Sequence, residues 1–238
     1  MPMPTEERRD EVLRAIVREY LALAEPVGSE TIAAKYHFDV SPATIRNDMA
    51  ELEVQEMIEQ PYTSAGRIPT ETGYRFYIHR FIDGQVFVAP QSQTEALAEL
   101  AHHMERDAEM WYKTFAKMLA TMTGETVFMR IGDEITYLTG TSHLFKKPER
   151  KNDAVLAMVS SLVDDVDAML AVADERCSEE VAVLIGTENP FGCELSSVMT
   201  RCSAPGMGES IIGIIGPQRM DYDMNVGLIR FIHDVFTK

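Results

Sequence analysis

The chain has 238 residues, with 38 Asp and Glu against 22 Lys and Arg, and a formal net charge of −16 at pH 7. Such acidity argues against an indiscriminate nucleic-acid binder, whose affinity comes from neutralising phosphates, while the length predicts two compact domains. No apolar run approaches the length of a membrane span, and Glu6, Glu7, Arg8, Arg9 and Asp10 make a poor secretory signal, so a cytoplasmic protein without membrane contact is expected.

Val12, Leu13, Ile16, Val17, Tyr20 and Leu21 form an apolar stripe at helical spacing. Glu25-Pro26-Val27-Gly28-Ser29 breaks it, with Ser29 as the expected N-cap of a short helix carrying Ile32, Ala33 and Tyr36. The segment 37–40 then turns the chain into S-P-A-T-I-R-N-D-M, Ser41 to Met49. Ser41 is a good N-cap, and Pro42 suits the first helical position, where its missing donor costs nothing. Ile45, Met49 and Leu52 define the inward face, leaving Ala43, Arg46 and Asn47 outward with Thr44 on the flank. Guanidinium, amide and hydroxyl on one exposed first turn can bond base edges in a major groove, Arg to guanine and Asn to adenine. Taken alone, the same nine residues equally describe an amphipathic helix with a solvated polar face.

Met57–Pro61 and Ile68–Thr70 read as two short strands around a tip containing Thr63, Ser64, Gly66 and Arg67, the pattern of a wing that touches phosphates. Between Gln60 and Arg80 stand Arg67, Arg75 and Arg80 against Glu71, a locally basic stretch. A purely structural hairpin remains open for this segment by itself. Together the elements predict a winged helix-turn-helix over 1–84. This domain is acidic overall, since residues 1–90 carry 9 Lys and Arg and 15 Asp and Glu; only its phosphate-facing surface need be basic.

A linker is expected over 85–93, followed by an α+β domain over 94–238. Leu97, Leu100, Met104, Trp111, Phe115, Met118 and Met122 predict one helix of about 30 residues, roughly 45 Å long. It either covers its own domain or pairs with a second subunit. Thr126–Ile131 and Glu134–Leu138 read as a hairpin turning at Gly132-Asp133. A helix over 153–173, strands at 181–185, 195–201 and 211–215, and a closing helix over 224–236 complete the domain. Cys177, Cys193 and Cys202 are expected to be free and buried, without C-x-x-C spacing. His102 and His103 are adjacent on a helix and point apart, so no metal site is assigned. The Ser203–Gly208 loop lacks the Gly-Lys-Ser/Thr of a phosphate loop. Asp164, Asp165 and Asp167 scatter over a solvated face, and no nucleophile meets a base, so neither catalysis nor a cofactor is expected.

The run A-I-V-R-E-Y…E-P-V-G-S-E-T-I-A…V-S-P-A-T-I-R-N-D-M-A-E-L-E, followed by I-E-Q-P-Y-T-S-A-G-R-I-P-T-E-T-G-Y-R-F-Y, resembles the HrcA-type heat-inducible transcription repressors of bacteria. Three later blocks, Tyr137–Leu144, Ile185–Pro190 and Ile215–Tyr222, are similar to family segments in the same order. The resemblance implies a repressor of chaperone operons, cytoplasmic and nucleoid-associated, that binds an inverted-repeat operator as a homodimer. It also implies a GAF-like second domain and an activity that depends on the chaperonin. DNA contacts would come from Ser41, Pro42, Ala43, Thr44, Arg46 and Asn47 on the helix and from Thr63, Ser64, Gly66 and Arg67 on the wing. One departure stands out: typical members carry an inserted dimerising subdomain, for which this chain has no room between the helix ending near Thr123 and Tyr137. A winged-helix regulator whose second domain senses a small molecule is the alternative.

Overall fold

The computed structural model describes residues 3–83, 91–102, 108–132, 135–146, 152–177, 180–204 and 208–237. Expectations resting on Gly84, His103, Met104, Asp133, Glu134 and the loop 205–207 lie outside them, as do the side chains of His102 and Val155. The chain divides into two compact units, 1–85 and 86–238.

In the first unit, helix α1 (Thr5–Leu23) buries Val12, Leu13, Ile16 and Val17 completely. Helix α2 (Ser29–Tyr36) and helix α3 (Pro42–Val54) follow, joined by a turn that opens with His37 in the left-handed region, φ 50°. The expected cap at Ser29 is displaced by one residue: Gly28 is the N-cap and Ser29 is the buried first helical residue. Glu19 ties α1 to α2, because its nearly inaccessible carboxylate meets Lys35 Nζ at 2.7 Å and accepts from the Tyr36 hydroxyl at 2.8 Å. Burial alone pushes the Glu19 carboxyl up, but those two partners outweigh it and hold the group below its ordinary range. Burial first, and then the same carboxylate, push the Tyr36 phenol up to about 12.

Strands β1 (Ile58–Glu59) and β2 (Ile68–Pro69) pair antiparallel, shorter than the sequence pattern predicts, and lead into α4 (Glu71–Phe81). Val27 and Arg67 exchange both backbone hydrogen bonds at 2.9 Å, so the α1–α2 connection lies against the base of the hairpin. Gly66 is required there: a Cβ would come within 2.4 Å of the Val27 backbone.

The second unit is α+β, its five-stranded sheet antiparallel throughout in the order β4-β3-β7-β6-β5. The strands are β3 (Thr126–Ile131), β4 (Ile135–Thr139), β5 (Ala182–Ile185), β6 (Leu195–Ala204) and β7 (Gly208–Pro217). Central β7 is buried continuously from Ser210 to Pro217, as a strand covered on both faces must be. On one face Phe128, Met199, Ile211 and Ile215 pack on Leu162, Leu170 and Ala173. These three belong to α7 (Asn152–Asp164) and α8 (Val166–Arg176). The sequence predicts a single helix across this span. Instead Asp165, at φ −112° and ψ 12°, ends one helix and opens the other, which turns Leu170 and Ala173 back onto the sheet.

The expected 30-residue helix is also two: α5 (Gln91–His102), which starts inside the stretch read as linker, and α6 (Ala108–Thr123). Trp111 Nε1 donates to the Leu100 carbonyl at 2.6 Å. Eleven residues of continuous helix would separate these positions by about 16 Å, so the chain folds back on itself. Trp111 stacks on Phe115, and both rings meet Phe236 edge-on. Phe236 belongs to the closing helix α9 (Tyr222–Thr237). Leu97, Trp111 and Phe115 are therefore core residues of one subunit, with at most 3% exposure. Of the cysteines, Cys177 and Cys202 are buried, whereas Cys193 is exposed, contrary to expectation. Burial pushes the Cys202 thiol up to about 12, with the neighbouring Cys177 adding to the shift.

Candidate nucleic-acid interface

Helix α3 begins as the sequence predicts. Ser41 Oγ accepts from Thr44 N–H at 3.2 Å and lies 3.0 Å from Thr44 Oγ1, with Pro42 at the first helical position. Ile45, Met49 and Leu52 are buried, while Ser41, Pro42, Ala43, Arg46 and Asn47 are exposed and Thr44 is half-buried. The six residues expected to meet DNA thus share the open side of one helical end. Among the described residues no carboxylate pairs with the Arg46 guanidinium.

Asp48 was invisible to the pattern. It occupies a polar position in sequence, yet it is 3% exposed and faces α1. Arg8 grips it with two bonds, from Nε at 2.7 Å and from Nη2 at 3.1 Å. This two-point geometry fixes orientation as well as distance. The bond to Asp48 holds the Arg8 pKa above its ordinary value. The only sequence signal was an Arg pair on the first turns of α1, which reads as solvated surface.

At the hairpin, Thr63 and Ser64 are exposed at the tip, Ser64 with φ 67°. Gln60 Nε2 donates to the Ala65 carbonyl at 2.9 Å and stiffens the loop. Gly66 and Arg67 are half-buried. Arg67 is turned inward, its Nε and Nη2 at 3.0 and 2.9 Å from Glu53 Oε2 at the end of α3. It links hairpin to helix. The basic stretch read between Gln60 and Arg80 is similarly occupied, with Arg80 on Asp10 at 2.9 Å and Arg75 on Glu71 at 3.8 Å. Cations on the open face are fewer than composition implied.

A helix presented end-on with its polar first turn open, held to α1 by the Arg8 grip on Asp48 and to a two-stranded wing by Arg67 and Glu53, defines a helix-turn-helix DNA-binding regulator with a separate α+β unit. Comparison with known proteins agrees. Residues 28–71 match the DeoR-like helix-turn-helix domain, and residues 85–226 match the HrcA protein C terminal domain. The chain belongs to the HrcA family.

A heat-inducible transcription repressor HrcA of Desulforudis audaxviator is 26% identical over 97% of this chain and 96% of its own length. One from Thermoanaerobacter sp. is 28% identical over 92% of each chain, and one from Desulfitobacterium hafniense is 57% identical over 32% of this chain and 22% of its own. The first alignment spans 333 positions, so about a hundred positions of that relative face no residue of this 238-residue chain. A crystal structure described only as a hypothetical protein shares the fold, with TM-score 0.78, 18% identity and 96% coverage of both chains.

Proposed function

We propose that this protein represses transcription of heat-shock operons by binding an inverted-repeat operator through α3 and the wing, as a homodimer in the cytoplasm, and that heat releases it. The observation that carries the reading is the open first turn of α3, where Ala43, Arg46 and Asn47 are exposed and no described residue pairs with the Arg46 guanidinium, while Thr44 beside them is bonded to Ser41. In this reading Arg46 and Asn47 read bases, while Ser41, Pro42, Thr63 and Ser64 contact the backbone. Gly66 and Arg67 act less directly, by holding the wing against Val27 and Glu53. The family's naming as heat-inducible repressors supports heat as the signal, and the chaperonin is proposed as the partner that restores the active form. Operator binding falls after brief heating and returns when chaperonin and ATP are added. Full recovery without chaperonin contradicts the proposed sensor.

Small-molecule sensing by the second unit has one observation behind it, a concavity of about 330 Å³ lined by Arg130, Asp174, Arg201 and Glu209. Its charges are largely turned on each other, Arg201 meeting Asp174 at 2.6 Å and Arg130 meeting it at 3.8 Å. The repressor reading requires no ligand there.

A further inference from the structure

Arg8 and Arg9 are neighbours on α1, but their guanidiniums are differently placed. Arg8 is committed to Asp48 by two short bonds. Arg9 is not. Its ion-pair partners are Asp48 Oδ1 at 3.7 Å and Glu51 Oε2 at 4.0 Å, both beyond hydrogen-bond distance. Its Nε is shielded from solvent and has no hydrogen-bond partner among the described residues. Together with Thr5, Thr44, Asn47 and Glu51, Arg9 lines an open cleft of about 450 Å³ between α1 and the exposed side of α3.

The Arg9 side chain is 29% exposed and no described residue holds its guanidinium at hydrogen-bond distance, so a phosphate in the cleft can accept N–H bonds from the accessible part of the planar fork. The cleft opens beside Thr44 and Asn47, where the backbone bordering a groove occupied by α3 would run. We infer that Arg9 binds a DNA backbone phosphate and so fixes how α3 docks, without choosing bases. This contact rests on the reading of α3 as the DNA-entering helix. Glu51, with 55% of its side chain exposed, competes with the phosphate for Arg9 and repels it. In free protein it keeps the cation in place; on DNA it lowers affinity for every sequence alike.

The test uses the full chain, a duplex selected by the wild type from a random pool, and a scrambled duplex of equal length, each over a series of salt concentrations. Arg9→Gln weakens both duplexes by the same factor and reduces the slope of log affinity against log salt by about 0.9, the value for one lost phosphate contact. Arg9→Lys keeps the slope, and Glu51→Gln tightens binding to both. A wild-type slope in Arg9→Gln overturns the inference whether or not the melting temperature falls, since a mere brace for Asp48 would alter stability alone. Wild-type protein that selects no duplex overturns the reading of α3 itself, and this contact with it.

Discussion

Arg46 and Asn47 are consecutive on α3 and both exposed, so their side chains leave the helix about 100° apart and, in the proposed complex, would reach neighbouring base pairs rather than one. Arg46→Ala is expected to cost about 1–3 kcal/mol on the selected site and to relax preference at a single base position. Arg67→Ala, acting through Glu53 and the wing, should weaken all sequences evenly. Titrations against duplexes changed one base pair at a time separate the two; an intact specificity ratio in Arg46→Ala would remove it from base reading. Glu19 gives a prediction of a different kind. Its folded pKa is depressed, so its contribution is complete above the unfolded value near 4.5 and is lost as pH falls through the lower folded value. Thermal melts of the first unit should therefore show a loss of stability below pH 4.5 in the wild type. Glu19→Gln should melt lower at pH 7 and lose less on acidification; parallel pH profiles would contradict this account of the Lys35 and Tyr36 bonds.

Elements whose ends carry their own chemistry were legible in the sequence. Ser41 and Pro42 marked the start of α3, and two short strand-like runs on either side of Gly132-Asp133 marked the paired strands β3 and β4. What failed was continuity. A hydrophobic stripe at helical spacing looks the same in one long helix and in two that fold against each other. Only a long-range contact such as Trp111 to the Leu100 carbonyl distinguishes them. The same holds at Asp165, an ordinary polar residue in sequence and a helix boundary in the fold. Within the site, the exposed positions of α3 were legible because they break no local rule, whereas buried Asp48 and inward-turned Arg67 depend on partners 40 and 14 residues away. The split of α5 from α6 also changes what Phe115 does. Packed between Trp111 and Phe236 at 1% exposure, it cannot serve as an intersubunit knob. Phe115→Glu should therefore unfold the second unit, read by red-shifted emission of the single tryptophan, Trp111. A variant with native emission and half the molecular mass would restore the intersubunit role.

For the whole molecule, the formal charge of −16 disfavours binding to arbitrary DNA, and much of the first unit's positive charge is already paired. In the proposed dimer, affinity for a chosen site comes from two modules acting together, for which joining raises avidity by about 10²–10⁴ when both half-sites can be spanned. The stretch of about a hundred positions present in the aligned relative is absent here, and the Trp111 and Phe115 rings are spent within the subunit. The proposed dimer would have to pair through other surfaces; Met110, Phe145, Val163 and Val172 are the large apolar side chains left exposed in the second unit among the described residues. The central claim, that α3 and the wing read an operator in two-fold fashion, is tested most directly by selecting bound duplexes from a random pool with the purified wild-type chain. The account predicts enrichment of an inverted repeat whose half-sites lie about one or more helical turns apart. Recovery of unenriched sequence, or of a single half-site bound as tightly as the pair, would contradict it.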